Sequence, residues 1–111
     1  MHKRTKALAI CPAVKAAVAA RDSIDGHPCC IICGSPEGQP NAHYIARAQG
    51  GLGIEENVVT LCPKCHRLYD QSDRRGLYGE MIRDYLRVQY DHWDEARLTY
   101  KKWEDEPCTI V

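Results

Sequence analysis

A chain of 111 residues, 44% of them hydrophobic, makes one domain with a modest core, a size at which a structural metal is a common staple. Seven cysteines make an odd count for a disulfide scaffold, and the apolar run at 7–11 ends at Pro12, too short for a signal peptide; a reduced, cytoplasmic, metal-binding protein is expected. No stretch approaches the length of a transmembrane helix.

The zero net charge argues against a nucleic-acid binder only until its distribution is read. Residues 1–21 carry Lys3, Arg4, Lys6, Lys15 and Arg21 without an acid, and residues 63–76 add Lys64, Arg67, Arg74 and Arg75 against Asp70 and Asp73. The acids gather in 22–62 and in the tail. A basic arm and a basic stretch are thus placed to meet phosphates, with a mixed solvated surface as the alternative.

In chain order, Ile10, Val14, Ala17 and Val18 recur at helical spacing, and Pro12 suits a first turn, so 12–22 reads as a helix. Asp25-Gly-His-Pro28 breaks it. Cys30-x-x-Cys33 follows, and the turn-rich 34–40 segment returns the chain. Residues 42–46 read as a short strand, 49–53 as a Gly-rich loop, and the β-branched 57–61 as a second strand. Pro63 opens a helix to about Asp70, and Cys62-x-x-Cys65 lies at its start. A further helix over 77–90 presents Tyr78, Met81, Ile82, Tyr85 and Leu86 on one face. Its aromatic residues, with Trp93 and Trp103, read as packing groups, and 104–107 as a frayed end.

Cys30, Cys33, Cys62 and Cys65 form two knuckles with the spacing of a tetrahedral Zn2+ cage. One ion would pin both ends of the intervening loop and fix His43, Asn57 and His66 relative to one another. Cys29 lacks the knuckle spacing, Cys11 and Cys108 read as unpaired thiols, and His2, His27 and His92 fall outside the motif.

The order strand, Gly-rich loop, strand and helix, with His43, Asn57 and His66 in sequence, Gly50-Gly51 in the loop and Leu61-Cys-x-x-Cys-His66 at the end, resembles the HNH endonucleases. The resemblance spans about 28–70 and extends more loosely to small stand-alone phage and prophage nucleases, which implies a bacterial host cell. It implies a small α+β fold: a ββα-metal (His-Me finger) core stapled by the four-cysteine zinc site, flanked by the N-terminal and C-terminal helices, all within one domain over 1–111. The implied activity is hydrolysis of DNA phosphodiester bonds, with double-stranded DNA as partner and 5′-phosphate and 3′-hydroxyl products.

The residue types suit that chemistry. An imidazole titrating near neutrality can take a proton from water, which fits His43 as general base. A Mg2+, Mn2+ or Ni2+ ion on His66 can stabilise phosphoryl and leaving oxygens. The Asn57 amide can bridge backbone groups and hold the loop. Asp70, four residues after His66, shares its helix face and completes a one-nitrogen, one-oxygen site, unless it is a surface residue at the helix end. Arg47, Lys64, Arg67, Arg74 and Arg75 are the candidate DNA contacts.

The chain departs from the family at Ala42, where most members carry a metal-ligating Asp or His. A register slip of one would make His43 that ligand and Tyr44 the base. Two alternatives to the nuclease stay open: a zinc-stabilised DNA- or protein-binding module without the reaction, and a rubredoxin-like iron protein.

Overall fold

A computed structural model describes residues 3–101; the expectations for His2, Trp103, 104–107 and Cys108 lie outside these residues. The described part is a small α+β structure in which a two-stranded antiparallel sheet packs under helices. No helix in it is long and apolar enough to cross a membrane.

The first element is one that composition did not suggest. Within the basic arm, α1 (Lys3–Leu8) is a short helix whose last residue, Leu8, is buried. Helix α2 (Pro12–Arg21) follows with proline in its first turn, one residue shorter than the expected 12–22. Val18 is its fully buried contact. Strands β1 (Ser23–Ile24) and β2 (His27–Pro28) then form a hairpin where only a break was expected. Asp25 and Gly26 both take positive φ, 53° and 81°, as a two-residue turn of primed type demands.

The central pair is β3 (Gln39–His43) and β4 (Val58–Leu61), antiparallel, with Ala42 opposite Val59 and His43 opposite Val58. The expected strand at 42–46 is therefore displaced toward the N-terminus. Pro40 lacks a donor but is accommodated where the register slips between Gln39 and Ala42. One more backbone bond follows His43, from Tyr44 N–H to Asn57 O at 2.7 Å, and beyond it the Asn57 side chain takes over both backbone groups of Ile45. Asn57 itself lies in a 3-10 turn (Glu55–Asn57) just before β4, not on the strand.

Helix α3 (Pro63–Gln71) closes the unit at its expected place. Helix α4 (Arg75–Gln89) begins two residues earlier than expected, after the Ser72 hydroxyl accepts the Arg74 N–H at 3.0 Å. Ile82 and Leu86 are fully buried against Ala42, Val59, Leu61 and Tyr69. Met81 is 41% exposed, so it does not belong to the buried face; a one-residue step from Ile82 turns it about 100° away.

The Gly-rich loop is clamped between the two ends of the described chain. Gly53 N–H donates to Ala7 O (3.0 Å), Leu52 N–H to Leu98 O (2.8 Å), and Tyr100 N–H to Gly50 O (2.8 Å). A Cβ at Gly51 would lie 1.6 Å from Ile45 O, and one at Gly53 would lie 2.1 Å from Ala9 O. Only glycine lets the backbones approach this closely.

A buried ion pair ties α2 to the rest. Arg21 Nε donates to Asp22 at 2.7 Å, and its terminal nitrogens donate to Glu55 O and Val58 O (both 2.7 Å) and to Tyr90 Oη (2.9 Å). Asp22 in turn accepts the Thr60 backbone N–H (2.9 Å) and the Tyr85 hydroxyl. Arg21 is thus a structural cation, which corrects its expected place in a phosphate-binding arm.

Candidate metal centre and active-site cleft

The thiol sulfurs of Cys30, Cys33, Cys62 and Cys65 all lie within 4.8 Å of one another, and Cys33 and Cys62 are 3.6 Å apart. Four ligands at a Zn–S distance of about 2.3 Å around a tetrahedral ion would stand roughly 3.8 Å apart, so the donor set fits one metal ion. Local backbone geometry shapes each knuckle. In the first, Gly34 takes φ 80° and its N–H donates to Cys30 O at 2.9 Å. In the second, Cys62 precedes the first turn of α3, and its sulfur accepts the Cys65 N–H at 3.5 Å. Burial pushes the Cys30 thiol up, but hydrogen bonds from the backbone of Cys33, Cys62 and Ile32 bring it down to about 7, whereas the Cys33 thiol is raised and burial with the neighbouring thiols pushes Cys65 up. A bound metal ion would supply the charge that holds all four as thiolates. Cys29 lies outside the cluster and donates to His27 O at 3.3 Å; Cys11 is exposed.

Helix α3 carries the second knuckle straight into His66. His66 Nε2 and Asp70 Oδ2 are 3.1 Å apart on one helix face. Neighbouring ligands of an octahedral ion bound at about 2.1 Å stand roughly 3.0 Å apart, so this nitrogen and oxygen can chelate one divalent cation. Both side chains line a cleft of about 500 Å³ together with His43, Asn41, Arg47 and Arg75.

His43 enters that cleft from the end of β3. Its Nε2 lies 2.9 Å from Leu8 O, the last residue of α1. A carbonyl can only accept, so Nε2 carries the proton and Nδ1 is left as the acceptor. Burial holds the imidazole below its usual pKa, partly opposed by the Leu8 bond, with Arg47 adding a lowering effect. Burial and Arg47 both favour the neutral ring.

Asn57 is fully buried and spends its amide on the loop. Its Oδ1 accepts Ile45 N–H (2.9 Å), and its Nδ2 donates to Ile45 O (3.2 Å) and Leu52 O (2.9 Å). Asn57 does not line the cleft but braces the segment leaving His43.

Ala42 is also fully buried and faces the core, while Asn41 and His43 line the cleft on the opposite side of β3. Sequence reasoning missed Asn41, although its place two residues before His43 puts it on the same strand face. Tyr44 lies away from the cleft, its ring against Trp93 at 5.8 Å and its hydroxyl pushed up to about 12 by burial and by Glu95. Among the candidate DNA contacts, Arg47 and Arg75 line the cleft, whereas Lys64, Arg67 and Arg74 are exposed outside it.

Comparison with known proteins agrees with this geometry. The HNH endonuclease family model matches residues 30–71, the span from the first knuckle to the end of α3. The chain is also similar to Anaredoxin of Nostoc sp. (strain PCC 7120 / SAG 25.82 / UTEX 2576), 33% identical over 45 residues. That alignment covers 40% of this chain and 59% of the relative's length. Residues 30–71 thus match the HNH family model, and they have a ββα arrangement in which four cysteines are close enough to hold one metal ion.

Proposed function

We propose that the protein is a metal-dependent endonuclease that hydrolyses phosphodiester bonds in double-stranded DNA, in the cytoplasm of a bacterial cell, with Zn2+ in the cysteine site. The observation that carries this reading is the position of His43, its Nε2 committed to Leu8 O and its ring lining the cleft that holds His66 and Asp70. Nδ1 of His43 takes a proton from the attacking water. The water oxygen bonds to phosphorus as the bond to the 3′ oxygen breaks, and the departing oxygen takes a proton from solvent water, leaving 5′-phosphate and 3′-hydroxyl ends. A Mg2+, Mn2+ or Ni2+ ion held by His66 and Asp70 would supply Lewis-acid charge for the phosphoryl and leaving oxygens. Arg47 and Arg75 hold the backbone phosphates at the cleft edge.

Ala42 favours a second reading, a zinc-stabilised DNA- or protein-binding module that keeps the fold without the reaction, because it brings no ligand to the cleft. Supercoiled plasmid incubated with each of the three ions, beside the His43→Ala protein, decides between them. Nicking or linearisation by the wild type alone supports the nuclease; an intact plasmid with every ion supports the module.

A further inference from the structure

A second cavity, of about 330 Å³, shares Asn41, His43 and Arg47 with the cleft and is completed by Ala9, Ile10 and Lys15. It continues the cleft toward α2: His66 and Asp70 line only the first cavity, and Lys15 lines only the second. Its floor is held from several sides. Leu8 O accepts the His43 Nε2–H, Ala7 O accepts the Gly53 N–H at 3.0 Å, and Ala9 N–H donates to Thr5 O at 3.1 Å. Arg4 donates to Arg47 O at 3.4 Å, so α1 also steadies the backbone that carries Arg47. Lys15 and Arg47 are the cations of this cavity, and no acid among the described residues lines it. Neither makes an ion pair with an acid of the described residues, so both charges are left to meet an outside anion.

Every nucleotide of a DNA strand brings one negative charge, so a strand with its scissile phosphate at His43 carries the next charge out of the cleft. We infer that the second cavity holds that neighbouring phosphate of the same strand, with Lys15 as its cation and Arg47 at the boundary between the two phosphates. Lys15 is then a positioning residue: it sets where the strand crosses His43 and touches neither the water nor the ion. The basic arm is thereby divided. Arg21 lies six positions after Lys15 on α2, about 240° around the helix, and is spent inside the fold, whereas Lys15 faces the substrate. The inference rests on the nuclease reading above, which supplies the scissile phosphate.

The test has two arms. In the first, binding of duplex DNA without added divalent ion is measured at several salt concentrations. Lys15→Ala should reduce the slope of log K against log salt by about 1, and Lys15→Arg should keep the wild-type slope. Lys15 is exposed on its helix and alanine is the better helix former, so thermal melting of Lys15→Ala should match the wild type and separate a lost phosphate contact from a lost fold. In the second arm, cuts by the wild type are mapped on a labelled duplex, and the phosphate on either side of one cut is replaced in turn by an uncharged methylphosphonate. On one of the two sides this should weaken that cut severalfold in the wild type and make no further difference to Lys15→Ala, the signature of two groups in one contact. An unchanged salt slope for Lys15→Ala, a wild type that binds no DNA, or equal methylphosphonate effects in both proteins overturns the inference. A wild type that cuts nothing loses the nuclease, and the salt slope then decides the cavity by itself.

Discussion

His43 Nε2 and the Leu8 carbonyl oxygen stand 2.9 Å apart although 35 residues separate them in the chain. The short basic helix at the N-terminus thereby sets the tautomer of the candidate general base. His43→Ala should cut cleavage by ~10²–10⁴-fold, the usual worth of a positioned acid–base group. Affinity for the catalytic ion, measured by Mn2+ titration, should stay close to wild type, since His66 and Asp70 are untouched. Deleting residues 1–9 removes the Leu8 acceptor and should lower kcat on saturating DNA. An unchanged kcat in the truncated protein would show that Leu8 plays no part.

The direction of the His43 shift predicts a pH profile. Burial lowers this pKa below 6.5, and only the neutral imidazole accepts a proton. Activity should therefore be full at pH 7 and fall as pH drops through a midpoint below 6.5. A divalent cation in the same cleft would move the midpoint further in the same direction. The profile of kcat/KM against pH checks this, and a midpoint above 7 contradicts it.

The parts of this molecule that were legible in the sequence are those carried by local chemistry. Cysteine spacing defines the knuckles, Pro63 defines the start of α3, and the period of Ile82 and Leu86 defines the core of α4. What was missed depends on groups that meet only in three dimensions. The extent of β3 could not be read because the Asn57 amide, 12 residues from Ile45, ends the ladder. Helix α1 is a run of ordinary helix formers with no amphipathic pattern, and its value lies in where its last carbonyl points. Arg21 looked like part of a basic arm because nothing in the local sequence shows that Asp22, Tyr90 and two backbone carbonyls surround it.

Asn57 offers a test of positioning apart from chemistry. Replacing it with alanine leaves the Ile45 N–H and the carbonyls of Ile45 and Leu52 without their partner inside the fold. A buried group left unpaired costs about 1–3 kcal/mol, so thermal melting should drop by several degrees. Activity should fall as well, measured at a temperature where the variant is still folded. A variant that melts like the wild type would show that the loop is held by its glycines alone.

The cysteine site should contain one tightly bound ion, and the metal content of purified protein identifies it. Zinc leaves the protein colourless, whereas iron in the same four-sulfur site would colour it. Structural zinc contributes on the order of 10 kcal/mol of binding energy that is also folding energy. Cys62→Ser should therefore unfold much of the domain, because this proposed ligand also caps α3, the helix that carries His66. Chelation should do likewise, with loss of helical circular dichroism; a chelated protein that melts unchanged would remove the metal from the fold.

Arg21 and Arg47 carry the same charge but should respond to mutation in opposite ways. The Asp22 side chain is fully buried, and that of Arg21 is 11% exposed. Asp22→Asn leaves the Arg21 cation buried without its counter-charge, a change that costs about 3–5 kcal/mol for pairs of this kind. It should lower the denaturation midpoint strongly, yet leave the salt dependence of DNA binding in the folded protein as it was. Arg47 is exposed at the cleft edge, so Arg47→Ala should hardly affect melting. If it contacts one phosphate, it should reduce the slope of log K against log salt by about 1, the counterion released by one contact. Binding isotherms at several salt concentrations, read beside urea denaturation of both variants, separate the two roles. A salt slope that changes for Asp22→Asn but not for Arg47→Ala would reverse the assignment and return Arg21 to the phosphate-binding surface.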